Sequence, residues 1–206
     1  LNMFTEGPDH AKRLEVQSPV LSPSMMDQLL AMDKDDGYQN THISLHYNHE
    51  EIGLEAAINN VCQQAEQAVR DGKTILVLSD MGIENGKTSI PAIMATGAVH
   101  HHLIRTELRT EANIVVETAT TRDPHHFAVL FGYGATAVYP YLAYESIEDM
   151  RRTNELDNKK HVSEYIANYR KGINKGLFKI LSKMGISTIT SYRGSQLFET
   201  VGLSSE

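Results

Sequence analysis

A chain of 206 residues, 41% hydrophobic and 22% charged, with 14 Gly and 6 Pro, describes a soluble globular protein of one ordinary domain or two small ones and excludes a disordered or collagen-like polymer. The 19 Lys+Arg against 26 Asp+Glu leave a net charge of −7, and no basic run exceeds a doublet such as Lys12-Arg13 or Lys159-Lys160, which argues against nucleic acid as a partner. No run approaches the roughly 18 apolar residues of a membrane span, so no membrane partner is expected either. The one cysteine, Cys62, allows neither an internal disulfide nor an all-cysteine zinc or iron–sulfur site, and favours a reducing compartment.

In chain order, residues 1–13 read as a tail or linker, with Gly7-Pro8 and charges in no period. Ser22 before Pro23 predicts a helix start, and Met25, Met26, Leu29 and Leu30 give it an apolar stripe ending near residues 35–37. Residues 42–47 alternate like one half-buried strand. A long helix follows over 54–70, with Leu54, Ile58, Val61, Cys62, Ala65 and Val69 at threes and fours and Asp71-Gly72 as its stop. The continuous apolar run 74–79 predicts a strand covered on both faces. Then come a helix opened by Ile90-Pro91 and running to Arg105, a strand at 113–117, a helix at 124–130 and a very short strand around Ala137-Val138.

Strands separated by helix-period segments are the rhythm of a parallel sheet. The expected fold class is therefore α/β, a partial, rudimentary TIM-barrel-like βα repeat with too few strands to close a barrel of eight. Charge-dense residues 145–160 read as a helix end and connecting loop. Residues 162–184 are helical with Gly185 as cap, followed by an extended piece at 186–190 and a final helix across 196–201. The expected division is a tail over 1–13, a central α/β unit over 14–150 and a connecting helix with a further segment over 151–206. The lack of an obvious natural terminus at either end suggests a piece of something longer.

Four local features invite a chemical reading. His100-His101-His102 with His125-His126 and Glu117 could form a metal site across two elements, which would make the chain an independent metal-dependent barrel enzyme, or could bond the backbone and line an interface. Consecutive helical side chains point about 100° apart, which argues against ligation by the triplet alone. Gly132-Tyr-Gly134 is either a weak phosphate cradle or a tight helix-to-strand turn. Asp80, just past a predicted strand, lies where parallel α/β folds place ligands, or else caps its own loop. Ser191-Tyr-Arg193-Gly-Ser195 would suit phosphate or carboxylate contact, or salt-bridge locally. Cys62, on an apolar stripe, reads as a core residue.

Longer motifs carry a resemblance. Leu78-Ser-Asp80, Ile90-Pro-Ala-Ile-Met-Ala-Thr-Gly-Ala-Val-His-His-His-Leu-Ile-Arg105, Leu108-Arg-Thr110 and Val116-Glu117 closely resemble the central region of the glutamate synthase large subunit. So do His125-His-Phe-Ala-Val-Leu-Phe-Gly-Tyr-Gly-Ala135, Pro140-Tyr-Leu-Ala143, Ser182-Lys-Met-Gly-Ile-Ser-Thr188, Ser191-Tyr-Arg-Gly194 and Ser18-Pro-Val-Leu21, in the same order.

The resemblance implies a parent enzyme that makes two glutamates from glutamine and 2-oxoglutarate, in the bacterial cytoplasm or a plastid. Its electrons come from a reduced nicotinamide through a small subunit, or from ferredoxin. It also implies an amidotransferase domain and an FMN barrel with a 3Fe-4S cluster as partners outside this chain. Within the chain it implies a structural central domain that walls an ammonia path, with no catalytic or metal residue and with Ser187, Ser191 and Arg193 as candidates for cofactor contact. Met81 stands where that family usually has Arg. The segment alone is expected to be inactive.

Overall fold

In the computed structural model, residues 14–32, 38–83, 85–157, 159–199 and 201–202 are described. The expected tail and the expected helix end near residues 35–37 lie outside them. The elements are α1 (Pro23–Ala31), β1 (Asn40–Ser44), β2 (His46–Tyr47), α2 (Leu54–Arg70), β3 (Ile75–Ser79), β4 (Thr88–Ser89) and α3 (Ala92–Arg105). They continue with β5 (Asn113–Glu117), α4 (Pro124–Gly132), β6 (Ala137–Tyr139), α5 (Tyr141–Arg152), α6 (Val162–Met184) and α7 (Ile189–Tyr192).

Four strands form one parallel sheet in the order β1-β3-β5-β6, which matches the expected α/β class. Side chains alternate across this sheet, as the two-residue period of a strand dictates. Ile43, Leu76, Leu78, Ile114, Val116 and Val138 face a large core shared with α2, α3, α4 and α6. Ile75, Val77, Val115 and Ala137 face the opposite way, onto Met26 and Leu29 of α1.

The route of the chain explains that second layer. Val20 bridges Val138 in parallel at the β6 edge, fixed by Leu21 N–H to Val138 O and Val138 N–H to Pro19 O at 2.9 and 2.8 Å. The chain then crosses the inner face as α1 and enters β1 at the far edge. A face that a closed barrel would fill with side chains from opposing strands is here covered by one short helix. Ser22 caps that helix by accepting from Met25 N–H, and Pro23 occupies its first turn, as the sequence predicts.

Four segments differ from expectation. Residues 42–47 are two strands rather than one: β1 pairs with β3, and after Leu45 the chain turns to pair β2 antiparallel with β4. Alternation continues through the switch because Leu45 is itself buried, so the pattern carries no trace of the break. Of residues 145–160, read as a helix end and connecting loop, those up to Arg152 belong to a full helix, α5, that begins at Tyr141. Its anchor is buried Tyr144, whose hydroxyl donates to Leu21 O at 2.6 Å, while the rest of its surface is polar or half-exposed.

The run 186–190 is not extended throughout, since the one-turn α7 begins at Ile189, and residues 196–199 are not helical. Helix α6 ends as predicted, with Gly185 in the left-handed conformation at φ +68°. Among the described residues no helix is long and apolar enough to cross a membrane.

Candidate functional site

Parallel strands bring their C-terminal ends to one edge, and here that edge carries a compact polar cluster. Ser79 and Glu117 are register partners at the ends of β3 and β5, and Ser79 Oγ donates to Glu117 Oε2 at 2.5 Å. His42 Nε2 stands 3.9 Å from the same carboxylate oxygen. Asp80 Oδ2 accepts from Thr118 Oγ1 at 2.5 Å, and Oδ1 accepts from Ala119 N–H at 2.9 Å. Asp80 therefore caps the loop after the neighbouring strand, not its own loop as the local reading allows.

The backbone of Asp80 is held equally firmly. Its carbonyl accepts from Tyr141 Oη at 3.2 Å and from His46 Nε2 at 3.0 Å. Burial first, then the neighbouring Asp80, pushes the Tyr141 phenol well above its usual range, and burial with Glu117 raises Tyr139. The two carboxylates, each buried and each accepting a hydroxyl hydrogen bond, stitch β3 to β5.

The opposite, N-terminal edge of the sheet carries cations. Arg109 donates from Nε to His100 Nδ1 at 2.8 Å, from Nη1 to Ala112 O at 2.7 Å and from Nη2 to Gly134 O at 2.9 Å. Arg193 Nη1 donates to Thr136 Oγ1 at 3.0 Å. Gly134 is required here: its φ is +116°, and a Cβ would fall 2.4 Å from the His100 ring. Gly132-Tyr-Gly134 is thus the tight turn between α4 and β6, and its carbonyl, not its N–H groups, meets the nearest charge. Arg109 is the residue that sequence reasoning missed. Its only signal was its place in Leu108-Arg-Thr110.

Of the candidates for cofactor contact, Ser187 and Arg193 border one cavity of about 330 Å³, together with Leu177, Phe178, Leu181 and Ile189. Ser191 instead exchanges a hydrogen bond with Thr188 Oγ1 at 3.0 Å and faces solvent.

The histidines have separate partners. His102 Nε2 lies 2.7 Å from Glu66 Oε2, His126 lies 3.6 Å from Asp123, and His125 packs edge-on against Phe198. His100 sits at the N-terminal strand edge and Glu117 at the other. Among the described residues no group of three or more His, Cys, Asp or Glu could hold a metal ion. Cys62 is buried on the α2 stripe, and burial pushes its thiol up.

A four-stranded parallel sheet alternating with helices, with its strand-end carboxylates bonded to their own neighbours, defines a domain of the α/β class with a partial βα repeat. Comparison with known proteins gives its family. The family model described as the glutamate synthase central domain matches residues 1–204, and the chain belongs to that family. It is 41% identical to a ferredoxin-dependent glutamate synthase of Pyropia yezoensis over 100% of this chain and 14% of that protein. It is 42% identical to the glutamate synthase [NADPH] large chain of Azospirillum brasilense over 98% of this chain and 13% of that protein. For the corresponding Bacillus subtilis large chain the figures are 39%, 95% and 12%. The chain thus spans about an eighth of the length of these relatives.

Proposed function

We propose that this chain serves as the central scaffold of a glutamate synthase, an enzyme converting glutamine and 2-oxoglutarate into two glutamates with electrons from a reduced nicotinamide or ferredoxin. The observation that carries this reading is the match of the central-domain family along nearly the whole chain. The strand-end cluster is consistent with it, because hydroxyl and amide donors already engage Asp80 and Glu117. The remaining enzyme, an amidotransferase part and an FMN barrel, provides the chemistry, in the bacterial cytoplasm or a plastid.

The 3Fe-4S cluster belongs to that remainder, since a single buried cysteine does not fit a site that needs three thiolates. For FMN, whose chemistry is to relay electrons from the donor, Ser187 and Arg193 offer donors along one cavity wall. Ser191, exposed beside Thr188, offers a third hydroxyl outside that cavity.

In this reading the domain also walls the ammonia path between the two reaction centres. A path for ammonia needs a dry lining that prevents its protonation and escape. Most of the small residues at the start of α3, among them Ala92, Ala95, Gly97 and Val99, are buried in the core. Met94 of the same run is 41% exposed and is left to meet the rest of the enzyme. In the full-length enzyme, Met94→Lys should leave glutamine hydrolysis running while less than the normal yield of glutamate forms per glutamine consumed. Unchanged coupling would overturn the wall role.

A further inference from the structure

Among the described residues, the cations at the N-terminal strand edge meet no counter-charge. Arg109 uses three of its five N–H donors on His100, Ala112 and Gly134, which fixes its plane, and Arg193 uses one on Thr136. Among the described residues neither makes an ion pair, although Glu107 and Glu111 flank Arg109 in sequence. Both guanidinium groups, with His100, Thr110, Asn113 and Thr190, line one cavity of about 410 Å³.

The other groups there add donors, not charge. Asn113 Oδ1 accepts from Thr136 Oγ1 at 3.3 Å, which turns its amide nitrogen outward from that bond. His100 Nδ1 accepts from Arg109, so its proton sits on Nε2 and the ring is neutral. Burial and the nearby Arg193 hold Arg109 down to about 10, the mark of two like charges sharing a partly desolvated place. A chain of net charge −7 has thus gathered, at a concave site, positive charge that no described residue pairs.

We propose that this cavity is an oxyanion site, in which Arg109 and Arg193 hold a carboxylate or phosphate group between them. Two N–H donors of Arg109 and four of Arg193 remain beyond those bonds, enough to meet the oxygens of either group, and an anion there would remove the repulsion between the two cations. The site lies at the end of the sheet opposite Asp80 and Glu117, and it does not depend on the glutamate synthase role.

The test titrates the 206-residue chain with inorganic phosphate and, separately, with acetate, at ionic strength held constant with chloride. The readouts are the thermal midpoint and the Nε–H resonances of Arg109 and Arg193. A saturable rise in midpoint that moves both resonances is expected with at least one anion. Stronger binding of phosphate assigns a phosphoryl ligand, and stronger or equal binding of acetate assigns a carboxylate.

Arg193→Gln should weaken the binding roughly tenfold to a hundredfold. That variant keeps a polar side chain and relieves a like-charge contact, so in chloride alone its midpoint should match or exceed that of the parent chain. Arg152→Gln, an exposed change on α5, should bind like the parent. No saturable effect with either anion, or equal binding by Arg193→Gln, would overturn the site.

Discussion

Two buried tyrosines show how one hydroxyl can carry opposite signs. Tyr144 donates to Leu21 O at 2.6 Å, whereas the Tyr192 hydroxyl has no hydrogen-bond partner among the described residues although Tyr192 is only 1% exposed. An unpaired buried hydroxyl retains its desolvation penalty. Tyr192→Phe should therefore raise stability by about 1 kcal/mol, and Tyr144→Phe should lower it by about the same amount, read by urea unfolding. Equal losses in both variants would refute the assignment of Tyr192 as unsatisfied. His100 gives a pH signature. The residue is 9% exposed, and burial, followed by repulsion from Arg109, His101 and Arg193, lowers its pKa from 6.5 to about 4. Between those values the unfolded chain takes up a proton that the folded chain excludes, so this contribution is intact above pH 6.5 and is lost as pH falls toward 4. Allowing for solvent screening, the loss is roughly 1–2 kcal/mol. In His100→Gln, whose amide oxygen can still accept from Arg109, the fall in thermal midpoint over that range should be shallower. An identical slope would show that His100 does not carry it.

Helix α6 holds the corresponding contrast between elements. Gly176 lies where α6 meets α4, and a Cβ there would stand 2.3 Å from Pro124 Cγ, whereas a Cβ at Gly172 would meet nothing within 4 Å. Helix propensity alone favours Ala over Gly by roughly 1 kcal/mol at either position. Gly172→Ala should accordingly stabilise by about 0.5–1 kcal/mol, while Gly176→Ala should destabilise because the rigid proline ring must move. Two stabilising substitutions would mean that the α4–α6 approach is looser than described. Elements of this kind were legible in the sequence wherever burial follows one period. The stripe Val61, Cys62, Ala65, Val69 gave α2, and the unbroken apolar runs gave β3 and β5. Helix α5 was legible only in part, because one fully buried residue, Tyr144, anchors a surface otherwise full of charge. The run Ile186 to Thr190, β-branched except at Ser187, looks extended, yet α7 takes its last two residues for a single turn. Strand-end logic singled out Asp80 as a place for a ligand, and the structure shows its carboxylate engaged by Thr118 and Ala119 after the neighbouring strand. That logic could not find Arg109, whose neighbour Arg193 lies on a distant loop and is brought close only by β5 and β6.

At the scale of the whole molecule, the question is whether the segment after residue 150 stands apart from the sheet. Charge and poor periodicity in the connection suggest a boundary there, but the packing ties the two sides together. Ile173, Leu177 and Leu181 of α6 enter the same core as β3, β5 and α3. Arg170 Nε donates to Val20 O at 2.9 Å, Ser18 Oγ to Asn174 Oδ1 at 2.9 Å, and Tyr169 Oη to Arg122 O at 2.8 Å. Losing one such core leucine costs roughly 2–5 kcal/mol, comparable to much of the total stability of an ordinary domain. The connection itself is exposed at Lys159 and Lys160, so it can be cut without disturbing those contacts. A site-specific protease sequence inserted between Asp157 and His161 should yield, after cleavage, two fragments that co-elute in gel filtration and separate only in denaturant. Before cleavage, far-ultraviolet circular dichroism and tyrosine fluorescence should report one coincident unfolding transition. If the fragments part in native buffer, α6 is a separate unit, and the core it shares with the sheet contributes little to holding the chain together.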